Sequence, residues 1–275
     1  MSECYSERFI CNGNVMECNE FKDSFLHKGK SLYEVIRIVE GVPLFLEDHL
    51  KRLFNSAKVT GLNLWLEESH IKNSIKELCK INSTYFGNVK LIFNFNEDGN
   101  NNFLVYFIKH KYPSEDMYLN GVSTVLYKAE RENPNAKIIN MNLRETTNKI
   151  IEDKGVYEVI LVDRNGYITE GSRSNIFMIK GEKVYTSPVE DVLPGITRAY
   201  IIKACNNLGY EVIEKRVNCN EVNELDGLFI SGTSPKVLPI SKVDNINFDP
   251  KNSVVQNIKY GYDKIIEEYI ENSRY

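Results

Sequence analysis

The sequence of 275 residues lacks a long apolar run, a dense basic stretch and an apolar leader. No window approaches eighteen consecutive apolar residues, so we expect no membrane-spanning helix. The first residues have neither the positive charge nor the apolar run of an export signal, which favours a cytoplasmic location. The formal net charge is -4, and no lysine and arginine cluster could follow a phosphate backbone, so nucleic acid is not an expected partner. The expected partners are small molecules.

The six cysteines do not form a CxxC pair. Cys4, Cys11 and Cys18 recur every seven residues, but no histidines accompany them as a zinc site would require. The chain is also far longer than the small domains that disulfides hold together. The sequence therefore predicts reduced thiols and no metal site.

The overall composition is that of a folded globular protein, with 42% hydrophobic and 26% charged residues. Strand-like runs joined by turns outnumber strand-helix-strand alternation, which predicts an α+β fold with mostly antiparallel or mixed sheets. The apolar pattern breaks around Pro113. We therefore expect a small α+β domain at 1–112, a linker at 113–120 and a larger domain at 121–275.

Local patterns predict a hairpin near the start of the chain and four helices. Asn12 and Gly13 separate two strand-like runs, and an Asn-Gly pair supplies the positive φ angles that a tight turn needs. Apolar residues at helical spacing predict the helices. They are expected before Gly61, at roughly 67–81, at about 141–154, and from Ile196 to Gly209.

Three charged residues stand in places that are suited to chemistry, and each also has a plain structural reading. In "YITEGSRSNIF", Glu170 follows a strand-like run directly and precedes small polar residues, a pattern that a polar hairpin turn also explains. Lys137, before an apolar helix start, is either a surface charge or an amine nucleophile whose pKa is lowered by burial. Arg52 is either a solvated residue on a helix face or an anion-binding group.

Two turns could bind an anion. Pro194 and Gly195 precede Ile196 and Thr197, and the amides and threonine hydroxyl of such a helix start suit a phosphate. Most helix starts nevertheless bind nothing. Thr233 lies among small residues after an apolar strand, where backbone amides can approach a ligand closely, or where the chain simply turns.

The order and spacing of these stretches resemble the fold-type IV pyridoxal phosphate enzymes, the class IV aminotransferase family of branched-chain and D-amino acid aminotransferases and aminodeoxychorismate lyases. The resemblance extends over nearly the whole chain and is most specific at 157–177. It implies a two-domain fold-type IV architecture, a homodimer, the cofactor pyridoxal 5'-phosphate, and transfer of an amino group from an amino acid to a 2-oxo acid. The alternatives are an aminodeoxychorismate lyase and a catalytically silent relative. The matching stretches are "LYEVIRI", "EDHLKRLFNSA", "AKIIN", "YEVILVDRNGYITEGSRSNIF", "LPGITRAYII" and "LFISGTSPKVLPI".

The resemblance also implies roles for individual residues. Lys137 is the expected Schiff-base lysine and proton carrier, and therefore the catalytic residue. Glu170 is expected to keep the pyridine nitrogen of the cofactor protonated. The expected phosphate-binding residues are Arg52, Ile196, Thr197 and Thr233.

Alternation along "YEVIR" places Tyr33, Val35 and Arg37 on one face of a strand. Tyr33 matches an aromatic position in the active sites of the family, and we expect both Tyr33 and Arg37 to contact the substrate. A surface or interface position is the alternative for Arg37.

Three departures from the family pattern leave the substrate and its stereochemistry open. The run "NVKLIFNFNED" offers asparagines and phenylalanines where the D-amino acid enzymes place an arginine for the α-carboxylate. Lys236 and Leu238 stand where many members have glutamate and threonine, so Lys236 is expected to contact an acidic substrate or solvent. After Lys137 the chain retains Asn140 but lacks the tyrosine that branched-chain members have near the ring hydroxyl.

Overall fold

A computed structural model of the chain describes residues 3–22, 29–109, 112–131 and 133–273. The chain divides into two compact units. The first consists of Met1–Lys111, Ala136–Ile139 and Glu268–Tyr275, and the second of Tyr112–Asn135 and Asn140–Glu267. The domain boundaries expected from the sequence stay a prediction. The compact units differ from them because 136–139 and 268–275 group with the first unit.

A six-stranded sheet forms the centre of the first unit, and each strand is antiparallel to its neighbours. The order of the strands in the sheet is β2-β1-β6-β5-β3-β4. The predicted hairpin is confirmed, since Asn12 and Gly13 separate β1 from β2 and have φ angles of 50° and 80°. The strands are β1 Arg8–Cys11, β2 Asn14–Glu17, β3 Lys30–Val39, β4 Val42–Pro43, β5 Gly87–Phe95 and β6 Asn102–Ile108.

Two helices, α1 Leu46–Thr60 and α2 Glu68–Ile81, belong to the same unit, and both were expected from the apolar spacing. Gly61 ends α1 with a φ of 67°, a left-handed conformation that glycine adopts readily. Leu50 of α1 and Ile75 of α2 share one core cluster with Ile36 of β3.

The other face of the six-stranded sheet has its own cluster of buried residues, in which Tyr33 and Tyr106 lie with Phe9 and Phe21. Val35 packs against this cluster, whereas Ile36 belongs to the cluster of the helices. The alternation predicted for Tyr33 and Val35 along β3 is therefore confirmed.

The second unit contains a ten-stranded mixed sheet, in the order β12-β11-β10-β14-β15-β7-β8-β9-β13, with β16 paired to β15. The pairs β7 with β8, β7 with β15, and β11 with β12 are parallel. The prediction of an α+β chain with mixed or antiparallel sheets is thus confirmed. The strands are β7 Val122–Lys128, β8 Glu158–Val162, β9 Tyr167–Gly171, β10 Asn175–Lys180, β11 Lys183–Thr186, β12 Val212–Glu214, β13 Val217–Asn218, β14 Gly227–Gly232, β15 Lys236–Val243 and β16 Ile246–Asn247.

The described residues that follow contain four more helices, and two of them, α4 and α5, lie where the sequence predicted them. The short helix α3 lies inside the segment that was expected to be a linker. Within the described ranges, no helix combines the length and the apolar character needed to cross a bilayer. These helices are α3 Glu115–Asn120, α4 Met141–Lys154, α5 Ile196–Asn207 and α6 Ser253–Ser273, and short 3-10 helices occur at Cys18–Glu20, Val189–Asp191 and Cys219–Glu224.

The prediction of reduced thiols is wrong for Cys4 and Cys18, which form a disulfide with their Cα atoms 6.1 Å apart. The β1-β2 hairpin reverses the chain between them, and Cys4 also forms a β-bridge with Ile108. This folding brings the two cysteines within the usual Cα separation of a disulfide. The free thiols are those of Cys11, Cys79, Cys205 and Cys219.

Candidate active site

The candidate residues are divided between the two units. The first unit holds the residue that was expected to bind the cofactor aldehyde, one of the residues expected to bind the phosphate, and the residues expected to contact the substrate. The second holds those that were expected to bind the cofactor ring nitrogen and the rest of the phosphate. The first set is Tyr33, Arg37, Arg52 and Lys137, and the second is Glu170, Ile196, Thr197 and Thr233.

Lys137 lies in a short segment that joins the six-stranded sheet. Its carbonyl oxygen accepts a hydrogen bond from the amide of Tyr33 at 3.2 Å, and its own amide donates to Ser56 Oγ at 3.2 Å. The Lys137 Nζ atom is 4.7 Å from the centroid of the Tyr33 ring. An ammonium at this distance is attracted to the ring face. The structure therefore brings together the expected catalytic lysine and the expected substrate-binding tyrosine.

Arg52 is buried on α1, so a solvated position on the helix face is the wrong interpretation. Its Nε donates to Glu34 Oε1 at 2.8 Å and its Nη2 donates to Glu34 Oε2 at 2.6 Å. His49 Nδ1 lies 2.7 Å from Glu34 Oε2. This bidentate pairing with Glu34 fixes the plane of the Arg52 guanidinium.

The charges of this buried group are coupled. Burial alone would raise the pKa of Glu34, but the charge and hydrogen bonds of Arg52, with those of His49, lower it to about 2. Burial lowers the pKa of His49, and the charges of Arg52 and Lys137 act in the same direction, against the opposing effect of Glu34. The group is therefore an ionised Glu34 and a charged Arg52 beside a histidine for which protonation is unfavourable.

Arg37 is half-buried further along β3, and its carbonyl oxygen accepts a hydrogen bond from the amide of Leu44. The contact with substrate that the sequence suggested for Arg37 stays a prediction.

Glu170 is almost completely buried at the end of β9 in the second unit. Its Oε1 lies 2.6 Å from Arg131 Nε in an ion pair, and its Oε2 accepts a hydrogen bond from the amide of Leu193 at 3.2 Å. A buried carboxylate requires such partners, because an unpaired buried charge is costly. The sequence analysis did not predict Arg131 at this site.

The turn after Glu170 is organised by Glu158, a second buried carboxylate that the sequence analysis missed. Glu158 accepts hydrogen bonds from Ser172 Oγ at 2.6 Å and Ser174 Oγ at 2.9 Å. Gly171 passes so close that a Cβ there would collide with Ser174 Oγ. The available signal was an acidic residue at the start of the otherwise apolar run "EVILV".

The start of α5 is tied to the same turn. Asn175 Nδ2 donates to the carbonyl oxygen of Leu193 at 2.9 Å, and the amide of Leu193 binds Glu170. Thr197 is buried, and the N-cap residue of α5 is Gly195, which has no side chain to cap the first turn. The first amides of a helix have no partner within the helix and form a local anion-binding site. The backbone just before Ile196 is thus anchored to Glu170.

Thr233 lies in the turn that follows β14. Ser231, near the end of β14, pairs with Asn175 at the start of β10. The Thr233 turn therefore lies at the same end of these strands as the turn after Glu170. The structure therefore brings Glu170, the start of α5 and the Thr233 turn together within the second unit.

Lys236 has a partner that the sequence did not suggest. Its Nζ lies 2.7 Å from Asp263 Oδ1 on α6.

Over the ranges that the structure covers, no three histidine, cysteine, aspartate or glutamate side chains lie close enough together to hold a metal ion.

Comparisons with known proteins identify the family and the fold. A family model described as amino-transferase class IV matches residues 31–243. The chain is 29% identical over 265 residues to a D-alanine aminotransferase of Bacillus licheniformis, and the matched region covers 86% of this chain and 88% of that protein.

Solved structures with related folds include a branched-chain aminotransferase of the thermophilic archaeon Thermoproteus uzoniensis with norvaline, with a TM-score of 0.86, 23% identity and coverage of 97% and 98% of the two chains. A putative 4-amino-4-deoxychorismate lyase of Legionella pneumophila has a TM-score of 0.78, 22% identity and coverage of 88% and 92%. These similarities confirm the predicted fold-type IV architecture.

Proposed function

The chain belongs to the class IV aminotransferases, a family of enzymes, and we propose that it binds pyridoxal 5'-phosphate and transfers an amino group from an amino acid to a 2-oxo acid. The observation that carries the cofactor proposal is the double anchoring of Leu193, whose amide binds Glu170 and whose carbonyl oxygen binds Asn175. Leu193 is three residues before Ile196, a span of at most about 11 Å. A buried acid and a helix start so close together suit a molecule with a ring nitrogen at one end and a phosphate at the other.

The residues of the chain fit the two ends of this cofactor. Glu170 would bind the ring nitrogen. The neighbouring Arg131 favours the ionised form of the Glu170 carboxylate, and that form can accept a hydrogen bond from a protonated ring nitrogen. The amides at Ile196 and Thr197, the Thr197 hydroxyl and Thr233 would bind the phosphate. Arg52, whose plane is fixed by Glu34, would add a charge-assisted contact to that phosphate.

Lys137 would supply the reactive amine. Bound pyridoxal phosphate provides an electron sink for the carbanion that proton loss at the α-carbon creates. The Lys137 amine, held over the Tyr33 ring, would bind the aldehyde of the cofactor and move the proton at the substrate α-carbon. Tyr33 and Arg37 would contact the substrate from the same face of β3.

The remaining expectations are also proposals. A homodimer is what the resemblance to the family implies, and light scattering of the purified protein tests it. A cytoplasmic location is supported by the four free thiols. In that compartment the Cys4–Cys18 disulfide would be reversible, so the segment that carries it would be tethered in the oxidised form of the protein.

The experiment that tests the proposed function is a screen of amino donors against 2-oxoglutarate and pyruvate on protein reconstituted with pyridoxal phosphate. Aminodeoxychorismate is tested in parallel without any 2-oxo acid. We expect amino transfer from at least one donor, and loss of the cofactor absorbance of the lysine-bound form in Lys137→Ala. Product from aminodeoxychorismate without an acceptor would identify a lyase. Cofactor binding without turnover of any donor would identify a silent relative.

A further inference from the structure

Lys90 is a buried lysine in the centre of the six-stranded sheet, and the cofactor proposal does not use it. It lies on β5 in register with Val35 of β3 and Tyr106 of β6. Its side chain is 2% exposed. A buried ammonium is costly unless an anion and hydrogen bonds compensate it. This position therefore requires a carboxylate or another anion.

The Glu3 side chain is an anion that pairs with Lys90 in the structure. The Lys90 Nζ atom donates to Glu3 Oε1 at 2.7 Å and Oε2 at 2.8 Å, and the Tyr106 hydroxyl donates to Oε2 at 2.8 Å. Glu3 is 32% exposed although its two partners are buried. The carboxylate thus reaches a buried pair of donors from the solvent side, as a small ligand would.

The segment that carries Glu3 is tethered on its other side. Cys4, the next residue, forms the disulfide with Cys18 and a β-bridge with Ile108. The amide of Tyr5 donates to the carbonyl oxygen of Phe107 at 2.9 Å. These contacts hold Glu3 at a high effective concentration beside Lys90.

We propose that Lys90 and Tyr106 form a binding site for small carboxylates and that Glu3 occupies it as an internal competitor, held there by the Cys4–Cys18 disulfide. A free carboxylate binds only when Glu3 is displaced. The site adjoins the expected reaction centre, because Lys90 Nζ is 5.4 Å and Lys137 Nζ is 4.7 Å from the centroid of the same Tyr33 ring. If the proposed function holds, the segment that carries Glu3 thereby limits the access of acidic molecules to Tyr33.

Calorimetric titration with glutarate tests the proposal directly, and glutaramide serves as its uncharged control ligand. Glu3→Gln should bind glutarate at least about tenfold more tightly than the wild type, since a charge-assisted pair no longer has to be displaced. The double variant Glu3→Gln with Lys90→Met should lose that gain. Glu7→Gln, an exposed change in the same segment, should bind glutarate as the wild type does.

Two results would overturn the proposal. The first is a folded Glu3→Gln variant with unchanged glutarate affinity, and the second is a gain that persists in the double variant. If Glu3→Gln does not fold, Cys18→Ser keeps the three contact residues and removes the tether, and it should bind glutarate at least about threefold more tightly. A folded Cys18→Ser variant without that gain would contradict the role of the disulfide. The readout is binding, so the result does not depend on whether the protein is an active aminotransferase.

Discussion

Arg131 binds both Glu170 and the turn that follows it. Its Nε lies 2.6 Å from Glu170 Oε1, and its Nη2 donates to the carbonyl oxygen of Ser172 at 2.8 Å. Ser172 in turn donates through Oγ to Glu158. One arginine and one serine thus connect two buried carboxylates of the second unit, and only Glu170 was recognisable from the sequence.

Replacement of Arg131 by methionine should weaken cofactor binding. The change removes the ion-pair partner of the buried Glu170 carboxylate, and with it a positive charge that favours the ionised form of that carboxylate. We expect the dissociation constant for pyridoxal phosphate to rise at least about tenfold, as measured by absorbance titration. Arg164→Met, which removes a largely exposed arginine of the same unit, is the matched control and should leave it unchanged. Equal affinities of the Arg131→Met variant and the wild type would show that Glu170 does not depend on Arg131.

Replacement of Glu158 by glutamine should loosen the turn at 171–174. Glutamine keeps one acceptor oxygen and replaces the other with an NH2 donor, from which a serine hydroxyl can still accept, but the backbone amide of Val159 or Arg173 on that side loses its buried acceptor. A buried group left without a partner costs about 1–3 kcal/mol, and urea unfolding should show a loss of this size. Glu152→Gln, on the exposed side of α4, should change stability by less than about 0.5 kcal/mol. Equal losses in the two variants would contradict the assigned role of Glu158.

Replacement of Glu34 by glutamine should destabilise the first unit strongly, because it removes the ionised carboxylate that binds the buried Arg52 guanidinium through two hydrogen bonds. Breaking a buried ion pair costs about 3 kcal/mol or more. Urea unfolding measures this loss. The variant should also bind pyridoxal phosphate more weakly, because the guanidinium plane of Arg52 is no longer fixed. Unchanged cofactor affinity in a folded variant would refute the positioning of Arg52 by Glu34.

Acidification should destabilise the protein through His49 and then through Glu34. The pKa of His49 is lowered on folding, so below its ordinary value of 6.5 the unfolded chain binds a proton that the folded chain does not. The pKa of Glu34 is lowered to about 2, so its contribution is present above its ordinary value of 4.5 and is lost between 4.5 and about 2. The free energy of unfolding should therefore fall as the pH decreases from 6.5.

The His49 part of this prediction can be separated from the rest. His49→Gln keeps a donor toward Glu34 but no longer titrates, so the loss of stability between pH 6.5 and 5 should be smaller than in the wild type. His70→Gln, at an exposed position on α2, should retain the full loss. The same pH profile for both variants would disagree with the assignment to His49.

Replacement of Lys236 by methionine should have little effect. Its ion pair with Asp263 is partly exposed, and such pairs contribute about 1 kcal/mol or less. We expect a change of this size in urea unfolding and an unchanged kcat/KM for every amino donor of the screen. A selective loss of kcat/KM for an acidic donor would restore the interpretation of Lys236 as a substrate contact.

Features that depend on neighbouring residues could be predicted from the sequence. The turn at Asn12 and Gly13 and the end of α1 at Gly61 need positive φ angles, and these residue types indicate them directly. Helix α6 lies outside the predictions although its signals are also local, with Asn252 accepting hydrogen bonds from the first amides and apolar residues at helical spacing.

Features that depend on strand pairing could not be predicted. Lys90 meets Glu3, and Arg131 meets Glu170, only because the sheets bring distant segments into register. The disulfide depends in the same way on the hairpin between Cys4 and Cys18. In the candidate site, the resemblance to the family identified the residues expected to touch the cofactor. The buried partners that hold them became visible only in the folded chain.

The central claim is that Lys137 and Glu170 bind the same cofactor molecule. The most direct measurement is the absorbance of bound pyridoxal phosphate between pH 5 and 9 in the wild type, Lys137→Ala and Glu170→Ala. We predict that Lys137→Ala lacks the band of the lysine-bound form, and that Glu170→Ala retains it with an altered pH dependence and weaker binding. A Glu170→Ala spectrum identical to that of the wild type at every pH would contradict the claim.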